Sequence, residues 1–366
     1  MKDLLYQIAI TQIPGVGDIT AKQLIAYCGG AKEVFEEKKS ALEKIPTIGS
    51  ITAKSIIEQN VLSRAEKEVL FIEKNNITPL FYLNENYPAK LKHCPDSPIM
   101  LYLKGNSDFN NQKIVSIVGT RNMTDYGKKL TEQLIADLTQ HNVIVLSGLA
   151  YGIDITAHKS ALQNNLKTYA VVAHGLDSVY PGTHANTLQK MIDNGGGCIT
   201  EFLSESNPDK ENFPKRNRIV AGMSDCVVVV EAGKKGGALI TADLANGYNR
   251  DVFAFPGNVG ETYSEGCNNI IKMNKAALLQ SAKDIEYIMG WEKQSEKPKA
   301  IQKNLFVELT EIEQKIVAII TEQKAIDIDS LCAKAELSMS KISGMLLNLE
   351  FSGVIKQLPG KRFELN

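Results

Sequence analysis

The sequence lacks the signatures that would assign a fold or a compartment at once. Its six cysteines are scattered with no Cys-x-x-Cys pair, which argues against a disulfide framework and against a structural zinc site. No run of about 18 uncharged apolar residues is present, so we expect no membrane span. Asp3 and the absence of a long apolar stretch behind it argue against a secretory signal. We therefore expect a cytoplasmic protein.

Net charge is also nearly absent, because 41 Lys and Arg residues face 42 Asp and Glu residues and leave a formal charge of −1. This balance excludes a polyelectrolyte-like coat for DNA. It leaves room for a local basic groove, because recognition depends on where the charge lies. The composition is that of a globular protein, 43% hydrophobic over 366 residues. Such a length exceeds one typical core, so we expect two or three domains.

The N-terminal segment contains an internal repeat. Residues 13–22 (IPGVGDITAK) recur as residues 45–54 (IPTIGSITAK). Each copy predicts a helix end, a tight turn and a new helix capped by Asp18 or Ser50. The pattern is typical of an all-α tandem helix-hairpin-helix (SAM-like) domain, whose helix N-termini can hold a DNA phosphate. Because the segment has no marked excess of basic side chains, packing alone is an equally good interpretation.

The middle of the chain alternates apolar runs with helical patterns. Five runs are continuous enough to be strands buried on both faces: residues 113–120, 143–148, 168–173, 225–231 and 251–256. This alternation predicts an α/β fold with a Rossmann-like, doubly wound parallel sheet. Ligands of such sheets bind beyond the carboxyl ends of the strands. Site residues should therefore follow the strands directly.

The C-terminal segment predicts a winged helix. An amphipathic helix at 310–323 carries Ile312, Ile316, Ile319 and Ile320 on one side, and two shorter helices follow near 328–335 and 338–351. The last residues predict two strands around Pro359-Gly360. Acidic side chains outnumber basic ones here, so we favour a protein-contact or regulatory role over DNA reading. A transcriptional regulator is the least favoured alternative.

These patterns divide the chain into four parts. We predict a helical domain at 1–75 and a Rossmann-like domain at 80–288. A polar linker at 289–304 then leads to the winged-helix domain at 305–366.

Glycines and basic residues follow the predicted strands. The loops of interest contain Gly119-Thr120-Arg121, Ser147-Gly148, the stretch 210–218, and Lys234-Lys235-Gly236-Gly237. Glycine at a strand end lets backbone amides approach an anion, and a helix dipole adds to the attraction. No G-x-G-x-x-G follows a strand, and residues 233–237 lack the spacing of a P-loop. We therefore expect no nucleotide cofactor.

The stretch 210–218 surrounds one aromatic residue, Phe213, with four cations, namely Lys210, Lys215, Arg216 and Arg218. Cations beside an exposed ring suit single-stranded nucleic acid, because the cations follow the backbone while the ring stacks on a base. The alternative is a solvated loop with Phe213 in the core and the arginines paired with acids such as Glu201. The sequence leaves the two interpretations equal.

No residue is a convincing catalyst. Asp154 and His158 lie four residues apart in a predicted helix, a spacing that could suit a metal or an acid–base pair. No third ligand is evident, so a capping Asp154 and a packed His158 are favoured. Ser147 is not in a G-x-S-x-G elbow. We expect neither a metal site nor an enzyme.

The loop motifs as a set resemble those of the DNA-processing protein A (DprA/Smf) family. VGTRNMTDYG, SGLAYGIDITAH, GLDSVYP, FPKRNRIVAG, VVVVEA, GGALITA and FAFPG occur in that family's order over residues 85–280. The resemblance implies a protein that binds single-stranded DNA during natural transformation, protects it and loads RecA recombinase. It also implies a homodimer formed through the Rossmann domain, and no enzyme activity.

The resemblance places the DNA site on the loops described above. Arg121 would bind phosphate, Phe213 would stack on a base, and Lys210 and Arg216 would hold the backbone. The full predicted set is Gly119, Thr120, Arg121, Ser147, Gly148, Lys210, Phe213, Lys215, Arg216, Asn217, Arg218, Lys234, Lys235, Gly236 and Gly237. This sequence departs from the family after Tyr180-Pro181, where Gly182-Thr183-His184 replaces a commonly basic residue. The loop would then bind more weakly or use His184.

A rival interpretation is a nucleotide or nucleoside-monophosphate hydrolase on a related fold. Those enzymes carry a P-G-G-x-G-T-x-x-E pattern. The nearest stretch, residues 236–241, has no glutamate after Thr241 at that spacing. We therefore favour DNA binding.

Overall fold

The computed structural model describes residues 2–291, 309–323, 325–335, 337–358 and 361–365. The chain forms two compact units, residues 1–292 and 293–366. Across the described ranges, no helix is long and apolar enough to cross a bilayer. Most of the predicted linker at 289–304 lies outside the described residues.

The first unit begins with an all-α region of six helices, α1 (Lys2–Ile10), α2 (Asp18–Cys28), α3 (Ala31–Glu36), α4 (Lys39–Leu42), α5 (Ser50–Ile57) and α6 (Leu62–Lys74). The repeat copies begin α2 and α5. The predicted caps are wrong, because Gly17 and Gly49 occupy the cap positions and Asp18 and Ser50 are the first helical residues. The Asp18 carboxylate is engaged elsewhere, since it accepts a hydrogen bond from the Ile99 amide at 2.9 Å.

The turns of the two repeats share one backbone conformation. Gly15 has φ +81° and Thr47, its counterpart, has φ +71°. A side chain in this left-handed region costs about 1–2 kcal/mol. The Thr47 hydroxyl compensates by donating a hydrogen bond to Gln23 Oε1 at 2.6 Å. The repeat is therefore preserved in structure where its sequence differs.

The rest of the first unit contains a nine-stranded sheet. Its strands are β1 (Thr78–Phe81), β2 (Met100–Gly105), β3 (Ile114–Val118), β4 (Ile144–Ser147), β5 (Thr168–Val171), β6 (Gly197–Thr200), β7 (Cys226–Val229), β8 (Asp251–Ala254) and β9 (Ala277–Leu278). Their order is β1-β2-β6-β5-β4-β3-β7-β8-β9. β2 pairs antiparallel with β1 and with β6, and the other pairs are parallel. All five predicted strands are confirmed.

Helices cover both faces of the sheet, which confirms the doubly wound prediction. They are α7 (Ala89–Lys92), α8 (Asp125–Asp137), α9 (Ile153–Gln163), α10 (Ala185–Asp193), α11 (Asn212–Met223), α12 (Gly237–Gly247), α13 (Glu265–Lys272) and α14 (Ala282–Ile288). α8, α9 and α14 share one apolar core, while α7, α11 and α12 share another with side chains such as Leu91, Val220 and Ala242. Removal of this apolar surface from water stabilises the fold.

The helical region and the sheet region pack closely within the first unit. The apolar core of the helices continues into Ile99, Met100 and Tyr102 of the sheet region. A buried carboxylate, Glu68, accepts hydrogen bonds from the Ser204 amide at 3.0 Å and from Arg64 at 2.8 Å. A domain boundary between residues 75 and 80 remains our proposal within this compact unit.

The second unit matches the winged-helix prediction. It contains α15 (Glu311–Gln323), β10 (Ala325–Asp327), α16 (Ile328–Ala335), α17 (Met339–Phe351), β11 (Ile355–Leu358) and β12 (Arg362–Leu365). Ile316 and Ile320 are buried, whereas Ile312 is exposed. The strands form a sheet in the order β10-β12-β11. The predicted turn at Pro359-Gly360 lies outside the described residues.

Candidate nucleic-acid interface

A cavity of about 390 Å³ lies at the carboxyl edge of the parallel strands, between the loops that follow β3, β4 and β7. Most of the predicted site residues line it: Gly119, Thr120, Arg121, Gly148, Phe213, Arg216, Asn217, Lys235, Gly236 and Gly237. A parallel sheet brings these loops together because its strands all end at the same edge. The volume of this cavity lies within the range of small-ligand pockets and is large enough for one nucleotide.

The loops that form the cavity brace one another through their backbones. The Thr120 amide donates to the Glu231 carbonyl at 2.8 Å, and the Thr120 carbonyl accepts from the Ile153 amide at 3.2 Å. Gly152 has φ +76°, and an added Cβ there would lie 2.3 Å from the Thr120 carbonyl oxygen. Only glycine allows the β4 loop to approach the β3 loop this closely. The position of Arg121 therefore depends on Gly152.

Arg121 and Phe213 contact each other at the mouth of the cavity. The guanidinium carbon of the exposed Arg121 lies 5.3 Å from the centroid of the Phe213 ring. This cation–π contact leaves the charge of Arg121 free for an anion. The predicted phosphate and base contacts thus come from two adjacent groups.

Arg216 is buried beneath the cavity, with a relative exposure of 5%. Its Nη1 donates to the Val171 carbonyl at 2.5 Å. Its Nε is buried and has no partner within the described ranges. Burial lowers the pKa of Arg216, and the nearby Asp154 carboxylate opposes that shift. A partly satisfied buried cation attracts an anion more strongly than an exposed one does.

The first turn of α12 supplies a second source of positive potential. The helix begins at Gly237, with Gly236 at the cap position and no capping side chain. The amides of its first two residues, Gly237 and Ala238, have no intrahelical partner, and the helix dipole favours negative charge there. Lys235 is exposed beside this turn, and Asn217 Nδ2 donates to the Gly237 carbonyl at 3.3 Å. A phosphate at this position would be attracted by amides and cations together.

Five predicted residues lie outside the cavity, namely Ser147, Lys210, Lys215, Arg218 and Lys234. Ser147 is buried and its hydroxyl donates to the Ile117 carbonyl at 2.6 Å. Arg218 pairs with Asp18, 3.1 Å away, and with Glu201. Lys234 pairs with Glu265 at 3.3 Å. For Arg218 the alternative interpretation, pairing with Glu201, matches the structure.

Asp154 and His158 both have hydrogen-bond partners within the fold that suit a structural role. The Asp154 carboxylate accepts from the amides of Gly148 and Ala150 at 3.1 and 3.4 Å, and it thereby shapes the β4 loop. Burial raises the pKa of Asp154. His158 Nδ1 lies 2.7 Å from Thr168 Oγ1. The Thr168 hydroxyl donates its hydrogen to the Val145 carbonyl, so it accepts from His158 Nδ1. No cluster of three or more metal-ligating side chains occurs among the described residues.

His158 makes the stability of the first unit sensitive to acid. Burial lowers its pKa from 6.5 to about 3, so between these values the unfolded chain binds a proton that the folded chain does not. The free energy of unfolding should therefore fall as pH drops through this window. We expect His158→Asn, which keeps the donor to Thr168 and cannot titrate, to show a shallower fall. Denaturant titrations at a series of pH values give the free energy of unfolding of each protein as a function of pH. Equal pH dependence of the wild type and of His158→Asn would contradict the lowered pKa of His158.

Two family models match the sequence of this chain. Residues 78–289 match the family model for DNA recombination-mediator protein A, and residues 305–361 match the DprA winged helix domain. Protein Smf of Synechocystis is 31% identical, covering 98% of each chain. DNA processing protein DprA of Streptococcus pneumoniae is 40% identical over 56% of this chain and 71% of its own.

Two solved structures resemble the chain. The X-ray structure of DNA processing protein A from Streptococcus pneumoniae has a TM-score of 0.67 and 31% identity, covering 77% of this chain and 97% of that one. DNA processing protein A from Helicobacter pylori, described for its single-stranded DNA binding mode, has a TM-score of 0.53 and 28% identity. It covers 59% of this chain and 96% of that one.

Proposed function

The chain belongs to the DNA-processing protein A (DprA/Smf) family of DNA recombination mediators, and we propose that it binds single-stranded DNA in the cavity at the carboxyl edge of its parallel sheet. The observation that carries the proposal is the meeting of a stacking ring, Phe213, with the cations Arg121, Arg216 and Lys235 in one cavity. This combination suits single-stranded DNA, because bases stack on the ring while the phosphates are attracted to the positive charges. The Helicobacter pylori relative, described for single-stranded DNA binding, supports the same ligand.

We further propose the finer role that the family implies. The protein would protect incoming single strands and load RecA recombinase onto them during natural transformation. It would act in the cytoplasm as a homodimer formed through the Rossmann-like domain. The winged-helix unit would contact a protein, because its α17 exposes Leu347 and Phe351 with Lys341 as the one basic side chain of that helix.

A binding role fits the acidic side chains at this edge better than hydrolysis does. Asp154 accepts hydrogen bonds from backbone amides, and Glu231 accepts from the Thr124 amide at 2.9 Å. Carboxylates used in this way shape the neighbouring loops, so we assign them a positioning role. Release of free base from a nucleoside monophosphate would revive the rival hydrolase.

Substitutions at Phe213 and Arg121 should weaken binding in different ways. Phe213→Leu removes a stacking surface and Arg121→Gln removes a charge, and each should cost about 1–3 kcal/mol of binding free energy. Only Arg121→Gln should make the salt dependence of affinity shallower, by about one unit of slope, because it alone removes a phosphate contact. Fluorescence anisotropy with a labelled oligothymidylate at several salt concentrations measures both effects.

The matched control is Lys283→Gln, which removes an exposed lysine of α14 outside the cavity. It should leave affinity and salt slope at their wild-type values. Wild-type affinity in correctly folded Phe213→Leu would refute the stacking role. Equal binding of a duplex and a single strand would refute the proposal as a whole.

A further inference from the structure

A second group of aromatic rings lies at the same edge of the sheet, beside the cavity. We propose that the bound single strand leaves the cavity across the ends of β4 and β5, with bases stacked on Tyr180 and Tyr151. This inference rests on the proposed function, since it extends the path of the same ligand. It adds Tyr180 and Tyr151 to the set of binding residues predicted from the sequence.

The loops at the edge differ in chemistry from one side to the other. The β7 and β3 loops carry the cavity's exposed cations, Lys235 and Arg121. The neighbouring β4 and β5 loops, residues 148–152 and 172–184, contain no lysine or arginine. They instead present two tyrosines. A DNA strand running from the β7 loop toward the β5 loop would thus pass from cations that attract phosphate to rings on which bases can stack.

Tyr180 continues the aromatic surface that begins at Phe213. The two ring centroids are 6.4 Å apart and the planes are tilted by 58°. Tyr180 is 45% exposed. Its backbone amide donates to His174 Nε2 at 3.2 Å, and the other ring nitrogen of His174 lies 2.8 Å from the Gly175 carbonyl. Burial lowers the pKa of His174 and so keeps its Nε2 free to accept. The Tyr180 backbone is therefore fixed before any ligand arrives, and its ring lies beside that of Phe213.

Tyr151 is supported in a similar manner. Its ring packs edge-on against His184 with centroids 4.9 Å apart, and it is 49% exposed. The Thr183 hydroxyl donates to Tyr151 Oη at 3.4 Å, which ties Tyr151 to the loop that carries Tyr180. His184 is buried and its Nδ1 lies 2.8 Å from the Leu149 carbonyl. His184 thus supports a ring and does not bind the ligand itself.

Fixed, exposed rings suit base stacking for an energetic reason. A ring that is already ordered loses little conformational entropy on binding, so more of the stacking energy appears as affinity. Isolated exposed tyrosines are common on protein surfaces and indicate nothing alone. Here the Tyr151 ring packs on the buried His184, the Tyr180 backbone bonds to the buried His174, and the Tyr180 ring lies beside Phe213 of the cavity. That arrangement favours a continuous path for single-stranded DNA from the cavity across the two tyrosines.

The test is a double-mutant cycle between protein and DNA. Oligothymidylates that lengthen by one nucleotide at a time are titrated against wild type, Tyr180→Leu and Tyr151→Leu. Abasic sites are then placed singly along the longest strand. The wild-type protein should bind a strand less tightly when its abasic site replaces the base that would stack on Tyr180 or on Tyr151. Each variant should lose about tenfold against the intact long strand, bind the shortest strand like wild type, and be insensitive to one abasic position.

Tyr27→Leu is the control, since Tyr27 is an exposed tyrosine of α2 outside these loops. Wild-type binding of long strands by both tyrosine variants, together with weakened binding by Phe213→Leu, would overturn this inference and leave the proposed function intact. Wild-type binding by Phe213→Leu and both tyrosine variants would instead refute the stacking site altogether. Loss of affinity without any change in abasic sensitivity would show that the tyrosines do not stack on bases.

Discussion

Replacing Arg218 by methionine should lower the free energy of unfolding by about 3–5 kcal/mol, the cost of removing one partner from a buried ion pair. The Arg218 side chain is 12% exposed and lies between Asp18 and Glu201. Its removal would leave two carboxylates close together without the cation that pairs with both of them. The affinity of the folded protein for a single strand should not change, because Arg218 lies outside the cavity. Denaturant unfolding and anisotropy report the two quantities separately.

Lys215→Met is the matched control on the same helix. Lys215 is exposed, and such surface changes usually alter stability by less than about 0.5 kcal/mol. Adding Glu201→Gln to Arg218→Met should recover part of the lost stability, because it removes one of the unpaired charges. If Arg218→Met kept full stability and lost DNA affinity, Arg218 would belong to the DNA site after all.

Gly152→Ala should be at least as damaging, with a cost of about 3 kcal/mol or more. The added Cβ would lie 2.3 Å from the Thr120 carbonyl oxygen and 2.6 Å from that of Arg121, so the backbone of the β3 loop must move. The backbone at Gly152, with φ +76° and ψ −124°, is also one that side chains strongly disfavour. Because the β3 loop carries Arg121, DNA affinity should fall together with stability.

The control for this substitution is Gly247→Ala at the end of α12. A Cβ there meets no atom within 4 Å, so alanine should be neutral or slightly stabilising. Thermal unfolding of both variants measures the two changes in stability. A Gly152→Ala protein with wild-type melting temperature and DNA affinity would show that the β3 and β4 loops do not depend on this close approach.

Strands buried on both faces carry the strongest signal in the sequence. The five predicted strands, β3, β4, β5, β7 and β8, are continuous apolar runs because helices cover both of their sides. Two of the strands that the sequence analysis missed have weak signals, whereas β2 is an apolar, buried run that it overlooked. β6 begins with a glycine and spans four residues, and β9 has two residues. Neighbouring strands, and not local sequence, define such elements.

The site could be predicted as a group of loops but not residue by residue. On α11, Phe213, Arg216 and Asn217 line the cavity, whereas Lys215 and Arg218 line a different cleft next to the helical region. The helical period of 3.6 residues separates these two sets, and the sequence contained that signal. The burial of Arg216 could not be foreseen. It depends on Val171 and Gly148, which are distant in the sequence.

The packing of Arg216 against Gly148 ties these two positions together over evolutionary time. An ideal Cβ on Gly148 would lie 1.9 Å from Nη1 of Arg216, so any side chain at position 148 displaces the guanidinium. A side chain at 148 would require the Arg216 guanidinium, the far end of a flexible side chain, to move or residue 216 to shorten. We therefore expect glycine at 148 to accompany arginine at 216 in relatives that keep this cavity floor. An alignment of homologues that shows the two varying independently would point to a different arrangement of this cavity floor in those relatives.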